Sequence, residues 1–496
     1  MKKMLKGSWF LVFIILIIAG FLRLYDITNL PPGFYPDEAM YANNGVEAWE
    51  TGNFKVFYPE NFGREGLWPN IIGFFIVKLG HEPWVPRSLA AIFGILTVLG
   101  GYFLTKELFS KKVALLASFF IATSFWHINF SRIGFRAIMA PFFLTWGIYF
   151  LLLALRKAKD QKSSNFYFLF SIFSGLFYGL GFHTYIAYRA TPLLIFIILL
   201  LYWLKNKERL IRKKILLSAF CFLFSAFIVI APLGFYFLQN PQDFFGRTSQ
   251  ISVFSSPAPI KDLGMNILKT AGMFNFVGDN NWRHNYAGRP ELFWPVGILF
   301  LLGIFLGVKS LLKRPRKPEY AILFGWLAVA VLPVVVSNES LPHALRALLM
   351  IPPVFILAGI GGIWVYEFIV TKLRNITKLQ RIFLLSTFYF LLSLLVFEAY
   401  VAYFVLWGQN HNVYGAFSAN YVEIGRQLNA LPKELPKYVV VEARGADVRG
   451  LPMPTQTVMF ITDTFTPKKQ KEKNIFYLLP EQTGQIPKNG YTIILK

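Results

Sequence analysis

Cysteine and charged residues are both scarce in this sequence, and each shortage argues against a class of protein. Cys221 is the single cysteine among 496 residues, which excludes an intramolecular disulfide and a zinc site built from several cysteines. Charged residues make up 15% of the chain, against about 25% in soluble domains. The sequence also has no His-x-x-x-His pair and no glycine-rich nucleotide-binding loop. These absences disfavour a soluble, disulfide-framed or nucleotide-dependent protein.

Hydrophobic residues, by contrast, make up 55% of the chain. They are arranged in repeated runs of about 20 residues, the length that crosses a bilayer core as a helix. The sequence therefore predicts an α-helical polytopic membrane protein. We expect eleven spans, at residues 9–24, 87–105, 113–130, 137–155, 166–186, 190–204, 215–238, 293–308, 320–337, 345–366 and 382–406.

Lys and Arg are concentrated in every second loop between the spans, and this alternation predicts the topology. With the N-terminus inside, the inner segments carry 25 of the 50 Lys and Arg but only five acids, a net of +20 out of +24. Short cytoplasmic loops of membrane proteins carry such an excess. We interpret Lys205–Arg209 and Lys313–Lys317 as topology anchors that face anionic lipid, and expect no nucleic-acid partner. The inner segments are 1–8, 106–112, 156–162, 205–214, 309–319 and 367–381, their acids being Glu107, Asp160, Glu208, Glu319 and Glu367.

The first apolar run follows three lysines and could belong to a signal peptide. No clear small-residue cleavage site follows it, so we interpret it as a retained span. The protein is then a multi-pass cell-membrane protein with a cytoplasmic N-terminus.

The long polar segments, 25–86, 239–292 and 407–496, all fall on the outer side in this topology. A protein with its polar mass on one face is expected to work on that face. We divide the chain into a transmembrane domain, 1–406, and a small extracytoplasmic α/β domain, 407–496. Strands are predicted in the latter at 437–441, 457–461, 475–478 and 491–495.

The first outer loop contains an acidic pair, Asp37-Glu38, at the start of a predicted helix that ends near Gly52. A second apolar stretch, Leu67–Leu79, is too short to cross and predicts an interfacial or re-entrant helix. Asp37 has two interpretations. It can cap the helix by accepting a backbone N–H, or it can be a functional carboxylate, since acids at a membrane edge are costly.

Basic residues also gather at the outer ends of the spans, against the general charge trend. Arginine suits phosphate because its planar fork donates two hydrogen bonds at once. Snorkelling to headgroups or pairing with an outer acid is the alternative. The candidates are Arg64, Arg87, Arg132, Arg136, Arg189, Arg283, Arg289 and Arg346, and aromatic or histidine neighbours of three of them are His183, Tyr185, His284 and His343.

The three histidines lie on different outer segments and could converge in the fold. Their spacing does not imply a metal site, so no metal ligands are assigned. A divalent metal, including one held by Asp37 with a single histidine, is left open.

At Asp37–Ala42, with a helix that ends Glu50-Thr51-Gly52-Asn53, the sequence resembles the first outer loop of GT-C-type glycosyltransferases. The nearest group is the protein O-mannosyltransferase and lipid A aminoarabinose transferase family. Segments Phe130–Ala137 and Leu341–Ala347 are similar to those of its prokaryotic branch. The resemblance covers roughly residues 9–406 in architecture and implies a GT-C-like fold.

The resemblance also implies roles for the outer residues. Asp37 would be the catalytic base with Glu38 beside it, and the arginines would hold the phosphate of a polyprenyl-phosphate sugar donor. The acceptor would be an extracytoplasmic protein, lipid or glycan. Many relatives carry a second acid between spans three and four, where this chain has Arg132 and Arg136. A two-carboxylate or metal-bridged mechanism is therefore in doubt.

Two other functions stay open at this point. A membrane transporter or lipid flippase usually has paired repeats and polar residues at mid-membrane, whereas most spans here lack central charge; Glu398, towards the outer end of the last span, is the main exception. A non-catalytic envelope scaffold would leave the acidic pair and the outer arginines unexplained. A membrane glycosyltransferase accounts for both.

Overall fold

The structure, a computed structural model, describes residues 2–159, 166–313, 318–372 and 377–496. Four of the predicted inner segments extend beyond these ranges, so that Met1, Asp160, Lys162, residues 314–317 of one basic cluster and Arg374 lie outside the described residues. The described chain is mainly helical. Its first sixteen α-helices are α1 (Lys2–Leu24), α2 (Pro36–Thr51), α3 (Leu67–Leu79), α4 (Trp84–Leu108), α5 (Lys111–Thr123), α6 (Phe125–Phe130), α7 (Met139–Lys157), α8 (Phe166–Gly181), α9 (Pro192–Lys205), α10 (Arg209–Gln239), α11 (Pro241–Gln250), α12 (Pro259–Gly272), α13 (Trp294–Lys313), α14 (Pro318–Val335), α15 (Ile351–Glu367) and α16 (Lys378–Tyr400).

The structure confirms the predicted polytopic α-helical architecture, and the number of spans is approximate. Among the described residues, eight helices are long and apolar enough to cross a bilayer, and shorter apolar helices cover Trp9–Leu24, Leu67–Leu79 and Phe166–Gly181. The span predicted at 113–130 is broken into α5 and α6. The break occurs at Ser124, whose hydroxyl accepts the N–H of His127 and begins a new helix.

Small residues set the closest approaches within the bundle. A side-chain carbon at Gly303 of α13 would lie 2.0 Å from the carbonyl oxygen of Leu357 on α15, and one at Gly361 would lie 2.1 Å from that of Leu299. Glycine lets helices pack backbone to backbone where no hydrophobic force drives association. The two helices can therefore pass in contact at both levels.

The predicted inner segments meet at one end of the bundle. Arg156 on α7 pairs with Glu107 on α4 at 3.0 Å, and Lys112 on α5 approaches Glu367 on α15 at 3.5 Å. At the same end the Phe109 ring packs on Tyr320 with centroids 5.1 Å apart. The described parts of the basic loops at 106–112, 156–162 and 367–381 therefore share one end of the bundle.

The last membrane helix continues to Trp407, and the residues from His411 onward form a small α/β unit. It comprises α17 (His411–Ala416), α18 (Ala419–Ala430), β3 (Lys437–Val441), β4 (Asp447–Val448), β5 (Leu451–Pro452), α19 (Thr455–Thr462), α20 (Pro467–Lys473), β6 (Ile475–Leu478) and β7 (Tyr491–Leu495), whereas β1 (Phe57–Tyr58) and β2 (Arg64–Glu65) form a short hairpin in the first outer loop. The three-stranded sheet has the order β6-β3-β7, and both pairings are parallel.

One predicted strand of this unit is wrong. Residues 457–461 belong to α19, which is buried along its whole length. A short apolar run that is buried on every side does not distinguish a strand from a helix. α19 packs between α18 and α2 of the first outer loop. There the amide of Asn43 donates to the backbone oxygen of Gln456 at 3.1 Å, and the Thr457 hydroxyl donates to Phe34 O at 2.8 Å.

Candidate active site

A cavity lies between the first outer loop, the outer ends of the bundle and the α/β unit. It encloses about 1830 Å³, including space open to solvent. Nine of the residues predicted from the sequence line it: Asp37, Arg64, Arg136, Tyr185, Arg189, Arg283, His284, His343 and Arg346. These residues come from five separate outer segments of the chain, so the fold brings the distant candidates together.

Asp37 does not cap α2, contrary to one of the two interpretations of the sequence. The cap position is Tyr35, and its N–H is accepted by Glu38 Oε2 at 3.1 Å. Asp37 instead faces the cavity and accepts a hydrogen bond on Oδ1 from the Asn61 amide at 2.9 Å. Burial raises the pKa of the Asp37 carboxyl, and the nearby Arg64 and Arg136 oppose that rise. The chain thus places a carboxylate of increased basicity beside two cations.

Glu38, the neighbouring acid, points away from the cavity into the protein. It is fully buried, and its two oxygens accept from Arg87 Nε at 3.0 Å and Nη2 at 3.2 Å. Oε1 also accepts the backbone N–H of Gly134 at 2.8 Å. Arg87 in turn donates to the carbonyls of Pro31 and Gly33. The Glu38–Arg87 pair therefore joins the start of α2 to α4 and to the loop before α7, and does not reach a substrate in the cavity.

Three of the cavity arginines are held by acids or amides of the first outer loop. Arg136 Nε donates to Glu65 Oε2 at 3.1 Å and its Nη1 donates to the Tyr41 hydroxyl at 2.7 Å. Arg189 lies 3.7 Å from the other oxygen of Glu65. Arg64 donates to the side-chain oxygen of Asn44 at 2.8 Å. Glu65 is buried and is shared by two cations, so one negative charge partly balances both.

Two further arginines come from loops on the other side of the cavity. Arg346 pairs with Glu339 at 2.5 Å and also donates to the Ser337 hydroxyl. The Arg283 guanidinium stacks over the Tyr35 ring, with its central carbon 3.7 Å from the ring centroid. Across the described ranges of the chain, no acid pairs with Arg283. Burial lowers its pKa to about 10, so it stays charged at neutral pH, and its charge is the least balanced of the five predicted arginines that line the cavity.

Four candidate binding residues lie outside the cavity: Arg87, which pairs with Glu38, Arg289, which pairs with Glu398, and also Arg132 and His183. Arg132 is fully buried, donates to the carbonyl of Leu30 at 2.9 Å and stacks over the Tyr403 and Phe404 rings. A ring nitrogen of His183 lies 2.8 Å from the carbonyl of Val229. The Arg132 and His183 side chains connect helices to loops, and neither is among the residues that line the cavity.

His284 and His343 converge with an acid that the sequence analysis did not single out. Asp279 Oδ2 lies 3.0 Å from His284 Nδ1 and 3.9 Å from His343 Nδ1, and the two imidazole rings stack with centroids 4.9 Å apart. Asp279 also accepts backbone N–H groups from Asn281 and Ala344. It therefore ties the loop of Arg283 to the loop of Arg346. Burial lowers the pKa of His284 even though Asp279 opposes the shift, which favours the neutral ring.

These three residues are the group in the described chain that offers metal-ligating atoms, all within 4.8 Å of one another. Their atom types suit zinc. The Asp279 carboxylate, however, already accepts three hydrogen bonds. A metal would have to displace the His284 contact, so the geometry resembles an acid that orients a histidine more than a preformed metal site.

Sequence reasoning missed Glu65 and Asn61, which line the cavity, and Asp279, which contacts the two cavity histidines. Only some of the many outer acids adjoin a basic residue, and Glu65 directly follows a predicted arginine, so outer acids next to basic residues were a usable signal. The α/β unit supplies Arg444, Gly445 and Ala446 to the rim. No local pattern identifies that segment, because its position depends on how the unit docks on the first outer loop.

Comparisons with known proteins agree with this architecture. Residues 67–236 match the family model described as dolichyl-phosphate-mannose-protein mannosyltransferase. Among curated proteins there is no significant sequence match. The structure of ArnT from Cupriavidus metallidurans bound to undecaprenyl phosphate superposes with a TM-score of 0.57 at 13% identity, covering 98% of this chain and 93% of ArnT.

Archaeal oligosaccharyltransferases give a similar result. AglB from Archaeoglobus fulgidus, in complex with an inhibitory peptide and a dolichol-phosphate, superposes with a TM-score of 0.55 at 14% identity, covering 92% of this chain and 63% of AglB. The oligosaccharyltransferase of the same organism in complex with Zn and sulfate gives 0.53 at 14% identity, covering 94% of this chain and 62% of that one. This chain thus spans less than two thirds of these proteins, and at such identities the likeness concerns the fold.

Proposed function

We propose that this chain, which has a GT-C-like fold and matches the dolichyl-phosphate-mannose-protein mannosyltransferase family model over residues 67–236, moves a sugar from a polyprenyl-phosphate donor to an acceptor outside the cytoplasm. The observation that carries the proposal is a partly buried carboxylate, Asp37, in a cavity lined by six arginines. Undecaprenyl phosphate and dolichol-phosphate accompany two of the similar structures. Both are lipid phosphates of the class that such a cavity suits.

The reaction assigns one role to the acid and another to the cations. A hydroxyl or amine of the acceptor attacks C1 of the sugar, and Asp37 takes the proton that this nucleophile loses. The bond from C1 to the phosphate oxygen breaks, and polyprenyl phosphate leaves with the electron pair. Burial makes Asp37 a stronger base than a free aspartate. The arginines stabilise the charge that grows on the leaving phosphate.

Arg283 is the strongest candidate for the phosphate anchor. Arg136 and Arg189 share Glu65, and Arg346 pairs with Glu339, so an incoming phosphate competes with a carboxylate at each of them. At Arg283 it meets a partly desolvated guanidinium held by an aromatic ring. Tyr185, His284 and His343 line the same space and are assigned to contacts with sugar or acceptor hydroxyls. Glu38 is assigned to positioning, because its carboxylate is fully engaged by Arg87 and backbone N–H groups.

A divalent metal has no step in this mechanism. If one binds, Asp279, His284 and His343 are the residues that would hold it, and it would supply positive charge next to the phosphate. Because Asp279 is already satisfied by protein donors, we expect a chelator to leave turnover unchanged. Loss of turnover with a chelator, and its return on adding Zn²⁺, would instead make the cluster a functional metal site.

The orientation in the membrane is part of the proposal. The cavity and the α/β unit would lie outside and the basic end inside, with the transmembrane domain at 1–406 and the outer domain at 407–496. The net +20 of the predicted inner segments supports this orientation. A compartment-sensitive reporter fused after Lys496 should report an extracytoplasmic C-terminus, and a cytoplasmic signal would reverse the orientation.

Reconstituted protein can distinguish a transferase from a flippase. The full chain in vesicles is supplied with a polyprenyl-phosphate sugar labelled in the sugar, together with a crude envelope extract as acceptor. Transfer should release polyprenyl phosphate and move the label to the extract, and Asp262→Asn, outside the cavity, should behave as wild type. Movement of intact donor between leaflets, with no cleavage, would support the flippase and contradict the proposal.

A further inference from the structure

An apolar groove opens at the end of the bundle away from the cavity. It encloses about 1160 Å³ between α1, α5, α15 and α16. We call it the Lys112 groove, after the basic residue at its polar end. α16 packs loosely here, since only 11% of the most apolar stretch of the helix from Leu379 to Trp407 is buried. Its apolar walls include Leu11, Ile14, Ile18, Leu115, Phe119 and Phe388.

The polar end of the groove is positively charged. Lys112 lies in the first turn of α5, which contains no acid, and follows Lys111. A helix N-terminus carries partial positive charge, which favours phosphate, and here the Ser110 hydroxyl already accepts the N–H of Val113. Lys112 lies 3.5 Å from Glu367, but both side chains are more than half exposed. Such an exposed pair is worth little, so a phosphate can replace the carboxylate.

Aromatic residues mark the level of this end in the bilayer. Tyr366 and Tyr389 line the groove beside Lys112, and the Lys112 ammonium lies 5.9 Å from the Tyr366 ring centroid. Tyrosine is enriched where hydrocarbon meets headgroups. The groove therefore continues from headgroup level into the apolar core, which is the shape of a lipid with its phosphate at Lys112.

We propose that the Lys112 groove binds one anionic glycerophospholipid, with its phosphate at Lys112 and the N-terminus of α5 and its acyl chains along the groove. A zwitterionic lipid brings its own cation and gains less from Lys112 and a helix N-terminus. The groove is separate from the donor cavity: α5 rises roughly 17 Å from Lys112 to its far end, and Arg136 of the cavity lies beyond that end. The inference does not depend on the proposed function.

The experiment uses the full chain, purified and stripped of lipid in detergent. Phosphatidylglycerol, phosphatidylcholine with the same acyl chains, or polyprenyl phosphate is titrated, and bound lipid is counted by native mass spectrometry alongside the thermal midpoint. Phosphatidylglycerol should bind saturably, at one copy, and more tightly than phosphatidylcholine. Lys112→Ala should weaken it about tenfold, the low end for losing a charged hydrogen-bond partner.

Matched variants make the result specific. Lys207→Ala removes an exposed lysine of another inner segment and should leave phosphatidylglycerol affinity unchanged. Ser393→Trp places a large ring in the groove and should abolish the bound copy. Equal binding of the two phospholipids, or phosphatidylglycerol binding that is insensitive to Lys112→Ala, would overturn the proposal. So would a Lys112-dependent site that accepts only polyprenyl phosphate, because the groove would then serve the donor.

Discussion

The two ends of the bundle both carry many basic residues, but they hold them in opposite ways. At the cavity end the Arg136–Glu65 pair lies 3.1 Å apart with side chains 13% and 2% exposed. At the other end Lys205 and Glu319 are 3.9 Å apart and both about one third exposed. Exposed pairs cost and contribute little, whereas buried charges are expensive unless closely partnered. The comparison is consistent with the proposed roles, in which the lysines anchor the protein in the membrane and the arginines serve the donor site.

The largest effect of any substitution at the cavity end is predicted for Asp37→Asn. Loss of a general base typically lowers rate by about 10²–10⁴, so turnover should fall by that factor while donor affinity is retained. Asparagine keeps the oxygen that accepts from Asn61, and the helix cap is Tyr35, so folding should be preserved. Single-turnover transfer from labelled donor measures the effect. Near-normal turnover in the folded variant would remove Asp37 as the base.

The pH profile gives the same prediction a second readout. The base must be ionised, and burial raises its pKa, so turnover should decline on acidification at a higher pH than the ordinary aspartate value of about 3.9. Asp37→Asn should abolish this acid limb in whatever activity remains. An unchanged limb in the variant would assign the limb to another group.

Glu38, the second acid of the pair, is expected to have a structural role, and a substitution can test it. Glu38→Gln leaves the buried Arg87 without its counter-charge, and breaking a buried pair costs about 3–5 kcal/mol. The thermal midpoint should drop clearly, with turnover per folded molecule changed far less than in Asp37→Asn. Glu82→Gln, an exposed acid just before α4, is the control and should have no effect. A stable Glu38→Gln protein with lost turnover would make Glu38 a catalytic group.

Arg283 should matter more than the arginines that share an acid. Removing a charged hydrogen-bond partner of phosphate costs about 1.5–3 kcal/mol, so Arg283→Ala should weaken donor binding roughly ten- to a hundred-fold. Arg189→Ala should cost less, because Arg136 remains on Glu65. Arg426→Ala, on the outer unit, should leave affinity unchanged. Equal losses for Arg189→Ala and Arg283→Ala would contradict the ranking by acid partners.

Much of this architecture can be predicted from the sequence, because it follows from local pattern. Runs of apolar residues and the loop charges give the spans, and Asp37-Glu38 marks the first outer loop. The sequence alone does not predict that Asp37 faces the cavity while Glu38 points into the protein. Glu38 is held there by Arg87, which lies 49 positions away in the sequence. Arg132 and His183 were assigned to binding for the same reason: their partners are carbonyls that no local pattern identifies. Asp279 is identified as a site residue only in the structure, where it lies beside His284 and His343, which are distant from each other in sequence.

The smallest effect is expected for Arg449. This arginine lies at the cavity end, but it is exposed, as are the basic residues in the ion pairs of the opposite end. It bridges Glu47 at 2.7 Å and Glu60 at 3.1 Å, fastening the β4–β5 turn to the first outer loop. Exposed pairs contribute about 0.2–1 kcal/mol, so Arg449→Ala should lower the unfolding free energy by no more than that. Arg426→Ala, exposed on α18, is the control for charge loss.

Because the β4–β5 turn holds Arg444–Ala446 at the rim, the Arg449→Ala variant should raise the acceptor KM and leave donor affinity unchanged. A loss of several kcal/mol would show that docking of the outer unit depends on this residue, and an unchanged acceptor KM would separate the rim segment from acceptor binding.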